Sequence, residues 1–287
     1  MARASSRSTT QRAVGYLVLE VGSLLFLGPF LVQIATSFKT DPDATAHPLS
    51  LLAHPATLSV WRRLFGYGDS GGSVDFLRWL FNSTVIAVCI TLGRVFLDSL
   101  AGYALARLAF PGRRMIFALI LAIMSVPNVV LLIPRFLVLK ELGLYSTYPG
   151  MILPIAADAA GIFIMRQFFL QIPASVEEAA RVDGAGIWRT YWSVVLPLAR
   201  PGLITLTILS FQSSWNEFSY FLVANGDPNK FTLTTGLANL TSGSLGAGNQ
   251  FPLSMGAALL TTIPVAIVFF AFQRQFTGGR LGGGVKG

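Results

Sequence analysis

The chain has 287 residues, of which 53% are hydrophobic and only 12% charged, about half the roughly 25% usual in a soluble domain. With a mean hydropathy of +0.63 and 22 Phe, the apolar excess is too large for one core of this length, which excludes an ordinary soluble globule. A single Cys (Cys89) and two His (His47 and His54) exclude a disulfide framework and cysteine-rich metal clusters, and the net charge of +8 becomes a question of membrane sidedness rather than of nucleic acid.

At 53% of 287 residues, and with ~20 predominantly apolar positions per helical span, the number of spans is capped near seven. After a polar, basic N-terminus, residues 13–38 are apolar except for Glu20 and Gln33. That run is longer than the roughly 7–15 residues of a secretory h-region and has no A-x-A site, so it is expected to be a retained first span. Residues 39–78 are polar and turn-rich and read as an extramembrane loop. His47 and His54 lie there without a third ligand, which favours a surface role over a metal site. The second span, 79–106, carries Arg94 and Asp98 at i, i+4 spacing on one helix face, where they are expected to neutralise each other. The third, 115–137, contains Pro127 and Pro134. The fourth, 148–169, contains Pro154 and, near its centre, Asp158. Prolines inside spans are tolerated where neighbouring helices or water satisfy the freed carbonyls, which implies bundle helices. A long polar stretch follows at 171–200, then spans at 201–223 and 253–272. The fold class is therefore all-α: a polytopic membrane protein of six transmembrane helices forming one domain over 1–287.

Six spans put both ends on one side. With the N-terminus inside, the inner segments hold thirteen basic residues (Arg3, Arg7, Arg12, Arg107, Arg113, Arg114, Arg166, Arg181, Arg189, Arg200, Arg274, Arg280, Lys286) and the outer ones seven (Lys39, Arg62, Arg63, Arg78, Arg135, Lys140, Lys230). That bias predicts an N-in, C-in topology.

The inner stretch QIPASVEEAARVDGAGIWRTYWSVVLPLARPG reads as a helical hairpin. Ser175 with Glu178 forms a capping box for a helix over 176–182, Asp183-Gly184 supplies a turn residue able to take positive φ, and a second helix over 187–195 ends before Pro197. Ala179 and Ala180, facing outward, would let a partner backbone approach closely. On the residues alone, an interfacial helix anchored by Trp188, Tyr191 and Trp192 is the competing reading.

Glu178-Ala179-Ala180, three residues, Gly184, nine residues, then Val194 and Leu196-Pro197 resembles the EAA loop of permease subunits in binding-protein-dependent ABC importers. Asp183, Ala185 and Pro201 match its longer carbohydrate-type form. Asn82-Ser83, Tyr103-Ala104-Leu105-Ala106-Arg107, Arg166-Gln167-Phe168-Phe169, Trp215-Asn216-Glu217-Phe218 and the terminal Gly-Val-Lys-Gly are similar to the maltose-permease-like subclass. The resemblance runs from the first span to the last residue. It implies a bacterial inner (plasma) membrane permease forming half of the pathway for a sugar or oligosaccharide, or for glycerol-3-phosphate and related phosphodiesters. It also implies a coupling hairpin in which Glu178 makes a charged contact with a cytoplasmic ATPase, Ala179 and Ala180 pack closely, Asp183-Gly184 bends, and Leu196 and Pro197 anchor the second helix. The implied partners are a second permease subunit, two ATPase copies, an extracytoplasmic solute-binding protein and the lipid bilayer, with no nucleic acid. The Gly-rich C-terminal tail would reach the ATPase interface. G-x-x-x-x-G-K-[ST] is absent from the chain, so it is expected to bind no cofactor and to be no enzyme, with ATP and Mg held by the ATPase.

Ionisable and polar residues within spans are costly and usually face a bundle interior or water. Asp158 lies among Ala and Gly, where a carboxylate can accept hydrogen bonds from hydroxyls, and Trp215 with Asn216 and Glu217 joins an aromatic face to polar groups. With Asn82 these are the candidate substrate-path residues, against the alternative of helix-to-helix hydrogen bonds and packing. Glu20 is expected to be shallow or paired. Two other classes are an ion-coupled secondary transporter using Asp158 or Glu217, for which an inverted repeat is lacking, and a membrane enzyme, for which no H-E-x-x-H, paired intramembrane aspartates or Ser–His arrangement is found.

Overall fold

A computed structural model of the protein describes residues 9–67, 74–241 and 250–278. The terminal Gly-Val-Lys-Gly, most of the Gly-rich tail and the turn-rich loop at 68–73 lie outside them. Every regular element among the described residues is helical: α1 (Thr9–Thr36), α2 (Asp41–Ala46), α3 (Ser59–Leu64), α4 (Phe76–Arg107), α5 (Arg113–Met124), a 3₁₀ turn (Asn128–Leu131), α6 (Leu132–Glu141), α7 (Tyr148–Ile152) with a 3₁₀ continuation (Leu153–Ile155), α8 (Ala159–Gln171), α9 (Ala174–Val182), α10 (Ile187–Thr190), a π turn (Tyr191–Val195), α11 (Leu196–Leu198), α12 (Arg200–Trp215), α13 (Ser219–Ala224), α14 (Leu233–Thr241) and α15 (Phe251–Gly278).

Among the described residues, three helices are individually long and apolar enough to cross a membrane, over Val14–Thr36, Phe76–Arg107 and Phe251–Gln273. Three further pairs pass the same test only together, each bent at a short break: Arg113–Met124 with Asn128–Glu141 by 98°, Tyr148–Ile155 with Ala159–Gln171 by 44°, and Ile187–Leu198 with Arg200–Trp215 by 79°. The breaks have local causes. Val126 precedes Pro127 and is biased away from the helical region. Pro154 cannot donate to its helix, the chain tightens to 3₁₀ there, and Asp158 is extended (φ −138°, ψ 133°) before α8 begins. α12 starts with Pro201 in its first turn, where the missing N–H is no loss. It stops at Trp215, and α13 resumes at Ser219, so residues 216–218 interrupt the stretch read as one span.

The chain groups into two units. In the first, α1 is an apolar helix whose sides are almost wholly exposed, as for Phe26 and Leu25, which suits lipid or a neighbouring subunit. Lys39 is buried and donates to the His47 carbonyl (2.7 Å), and the Asp43 carboxylate accepts from the His54 amide (2.9 Å). Gly256 lets α15 approach Val60 of α3 closely. In the second unit, Leu77–Gly236 and the end of α15, two core clusters stand out among the described residues. One joins Ile86 and Ile90 of α4 to Met151, Ile155, Tyr220 and Phe221. The other joins Tyr103 and Ala106 of α4 to Met165 and Phe169 of α8, to Tyr191 and Val195, and to Leu206 of α12. Gly102 brings α4 onto α8: a Cβ there would lie 2.8 Å from the Met165 Cβ.

Candidate functional site

The segment between α8 and α12 folds as a hairpin closed by a backbone turn. At the end of α9, Gly184 takes φ +77°, its N–H bonds the Arg181 carbonyl (3.0 Å) and the Ala185 N–H bonds the Ala180 carbonyl (2.9 Å). That is a Schellman closure, and it needs a left-handed residue at this position. The start of α9 differs from the capping box expected on Ser175 and Glu178. The helix begins two residues earlier than the expected 176, at Ala174, with Pro173 at the cap and no side-chain cap bond, because Pro173 has the fixed φ suited to entering a helix. The second arm runs as α10, the π turn and α11, passing through Pro197 rather than ending before it.

The acidic residue that organises the hairpin is Glu177, which the motif does not include. It is 4% exposed and pairs with Arg107, the last residue of α4 (3.0 Å), with Arg181 beside it (4.0 Å). The same Arg107 guanidinium donates to the Phe169 and Ile172 carbonyls at the end of α8. One cation thus holds the ends of α4, α8 and α9 together, with cationic charge at a helix C-terminus as the dipole favours. Glu178 and Ala179 are exposed, whereas Ala180, expected to face outward, is buried at 8% because it lies on the same face as Glu177. Tyr191 is no headgroup anchor: it is 1% exposed, its hydroxyl bonds Ser99 of α4 (2.8 Å), and its ring lies 5.0 Å from that of Tyr103. Asp183 and Gly184 are exposed at the bend, Leu196 is half-buried against the core cluster and Pro197 is exposed. Around the bend, Val182 (89% exposed), Ile187 and Trp188 form an apolar crest.

The second feature is a cavity of about 450 Å³ in the same unit, lined at three helix interruptions: 124–132, 154–160 and 213–220. Broken backbone in a membrane protein is tolerated where it lines a cavity or is buried in protein. The charged groups around it are Arg94, Arg135, Asp158 and Glu217, two cations and two anions. Arg135 also lies over the Tyr220 ring (5.7 Å), and the Glu217 carboxylate accepts from the Tyr220 amide (2.8 Å). Of the five candidate path residues, the structure brings Asp158 and Glu217 together here. Asn82 lies elsewhere, buried, bonding the Asn229 and Phe231 carbonyls and the Tyr148 hydroxyl. Trp215 is buried and stacked on Phe211, and Asn216 is exposed with its amide on the Gln212 carbonyl. The expected Arg94–Asp98 ion pair is absent from the described residues: each side chain is turned to backbone 60 residues further on, Arg94 to the Ile155 carbonyl (2.9 Å) and Asp98 to the Asp158 N–H (2.9 Å). Arg94 and Arg135 were not among the path candidates, since spacing within one helix carries no sign of a cavity formed by three others.

Residues 74–279 match the family described as binding-protein-dependent transport system inner membrane component. The chain belongs to that family. The permease is 33% identical over 264 residues to an sn-glycerol-3-phosphate transport system permease protein of Yersinia enterocolitica (92% of this chain, 94% of the relative). It is 32% identical over 281 residues to a diacetylchitobiose uptake system permease protein of Streptomyces coelicolor (97% and 90%), and 33% identical over 287 residues to an arabinooligosaccharides transport system permease protein of Bacillus subtilis (100% of both). Its fold is similar to a chain of a bacterial ABC transporter involved in the import of the acidic polysaccharide alginate, with TM-score 0.79, 26% identity, and coverage of 96% and 99%. The permease is thus a multi-pass inner-membrane subunit of an ABC importer, a class whose members work with an ATPase and a binding protein.

Proposed function

We propose that the permease forms one half of the translocation pathway for a sugar or oligosaccharide, with six spans, both termini inside, and the 171–200 hairpin, between spans four and five, as the element that couples it to the ATPase. The observation that carries this is the division of the hairpin into two faces. One face is fixed to α4, α8 and α12 through Arg107, Glu177 and the Tyr191 cluster. The other exposes Glu178, Ala179 and the crest of Val182, Ile187 and Trp188. Exposed apolar surface beside a charge suits a protein partner, and a rigidly held base transmits its movement to three helices. Closure of an ATPase dimer would carry the hairpins inward and reorient the spans. ATP and Mg are bound by that partner, with no cofactor on this chain. The assembly holds a second permease subunit, two ATPase copies and an extracytoplasmic binding protein.

Substrate contact is assigned to Asp158 and Glu217. The mixed charges around the cavity offer both donors and acceptors, as a neutral polyhydroxylated ligand requires, and the relatives that serve oligosaccharides align over almost the whole chain. Arg94 and Arg135 favour a second reading, an anionic phosphate ester, in line with the glycerol-3-phosphate relative. The test is uptake into proteoliposomes holding the complete importer and its binding protein, with a neutral oligosaccharide and glycerol-3-phosphate compared. ATP-dependent accumulation of the oligosaccharide is expected. Uptake driven by an ion gradient without ATP would overturn the reading.

A further inference from the structure

Arg94 and Asp98 lie one turn apart on α4 and straddle the break in the bent pair Tyr148–Ile155 and Ala159–Gln171. Arg94 Nε donates to the carbonyl of Ile155, the last residue of the first half. Asp98 Oδ1 accepts from the N–H of Asp158, the residue that opens α8. Asp98 is fully buried, and its Oδ2 has no hydrogen-bond partner among the described residues. That oxygen sits against Gly161 in the first turn of α8, where a Cβ would come within 2.1 Å of it. One residue before Arg94, Gly93 lets α4 approach Ala156 so closely that a Cβ would lie 3.0 Å from the Ala156 Cβ. The signs are those helix dipoles demand: a cation at the C-terminal end of one half and an anion at the N-terminal end of the other.

We propose that Arg94 and Asp98 are positioning residues, forming a clasp through which α4 sets the geometry of the unwound turn 156–158 and so the placement of Asp158 at the cavity. Asp98 occupies the Asp158 amide, which leaves the Asp158 side chain to the cavity. Arg94 reaches both the Ile155 carbonyl and, at 3.5 Å, the Ser213 hydroxyl of α12, so the break is tied to a second helix on the cavity wall. Because α4 also ends in Arg107, which holds the hairpin, a movement at the hairpin reaches the turn beside the cavity along one helix.

The clasp and an Arg94–Asp98 ion pair make opposite predictions for a charge exchange. If the two side chains served each other, Arg94→Asp combined with Asp98→Arg would restore the wild-type state. In the clasp each faces a backbone dipole of fixed sign, so the exchange repels at both ends. The reporter is Ile155→Cys in a Cys89→Ser background. Ile155 is 8% exposed, so its labelling by a water-soluble maleimide, in the assembled importer without nucleotide, is slow while the turn is held. Asp98→Leu and the double exchange are expected to speed labelling about tenfold, as the buried amide and carbonyl lose their partners, whereas Asp98→Asn, which keeps an acceptor for the Asp158 amide, stays within about twofold. Restoration by the exchange, or unchanged labelling in Asp98→Leu, overturns the proposal. Should Asp98→Leu not assemble, Arg94→Met against Arg94→Lys decides it: the clasp requires faster labelling in Met than in Lys, and equal rates refute it. The role at the cavity rests on the pathway reading above. Altered labelling with unaltered uptake would sink that reading while leaving the clasp, and unaltered labelling would sink the clasp alone.

Discussion

Glu177 and Glu178 are adjacent in sequence and opposite in circumstance, and two substitutions separate their roles. Glu177 is buried beside Arg107, so Glu177→Gln leaves a guanidinium in a poorly solvated site without its counter-charge, a loss of about 3 kcal/mol for a buried pair. The expected outcome is a lower melting temperature of the purified importer and reduced uptake. Glu178 is exposed, and a surface change of this kind alters stability by less than about 0.5 kcal/mol. Glu178→Gln is therefore expected to keep the melting temperature while weakening association with the ATPase in a pull-down. A drop in melting temperature for Glu178→Gln with none for Glu177→Gln would reverse the assignment. At the cavity, Asp158→Ala is expected to change the concentration dependence of uptake at an unchanged level of assembled importer. Unchanged kinetics would remove Asp158 from the path. The choice between two neighbouring glutamates was not legible in the sequence. They point about 100° apart on a helix, and which one is buried is decided by Arg107, 70 residues earlier.

The hairpin as an element is where local chemistry was most legible. Asp-Gly at the end of a short amphipathic helix calls for a left-handed residue, and Gly184 has φ +77° with its Schellman bonds in place. A Cβ built on Gly184 meets nothing within 4 Å, so Gly184→Asp has room within its own chain and costs about 1–2 kcal/mol of backbone strain. The variant is expected to reach the membrane in normal amount and to abolish uptake, because a charge and a side chain then sit on the face offered to the ATPase. Normal uptake by Gly184→Asp would dismiss the docking role of the bend. Trp188→Asp probes the apolar crest beside it in the same way and is expected to reduce recovery of the ATPase. The helix breaks were legible only in part. Pro127 and Pro154 marked two of them, but proline chemistry sets no bend angle, and the interruption at 216–218 contains no proline. It is fixed by Glu217, whose carboxylate caps α13 at the Tyr220 amide and whose carbonyl accepts from Thr234 (2.7 Å). Likewise the i, i+4 spacing of Arg94 and Asp98 located a shared face but not its partner, since that partner is a pair of helix ends 60 residues on.

For the whole molecule, the distribution of charge makes a prediction about sidedness. Thirteen basic residues lie in segments assigned to the inside and seven in those assigned to the outside, and the inner acids Glu177, Glu178 and Asp183 all belong to the hairpin. Several basic residues near this end are engaged: Arg107 and Arg181 flank Glu177, and Arg166 lies over the Phe117 ring at 3.9 Å and donates to the Leu105 carbonyl. Arg113 likewise turns back on the Leu108 carbonyl. Neutralising the hairpin acids therefore strips counter-charges from a cationic surface, while the excess of arginine opposes translocation of these loops across the membrane. Cysteine probes test the orientation directly in a Cys89→Ser chain. Leu142, 64% exposed at the turn after α6, falls on the side assigned as outer, and Val182, 89% exposed on the hairpin crest, on the inner side. In intact spheroplasts expressing the permease without its ATPase, a membrane-impermeant maleimide is expected to label Leu142→Cys and to reach Val182→Cys only after permeabilisation. Labelling of Val182→Cys in sealed spheroplasts would place the hairpin outside, away from any cytoplasmic ATPase, and would defeat both the topology and the coupling role at once.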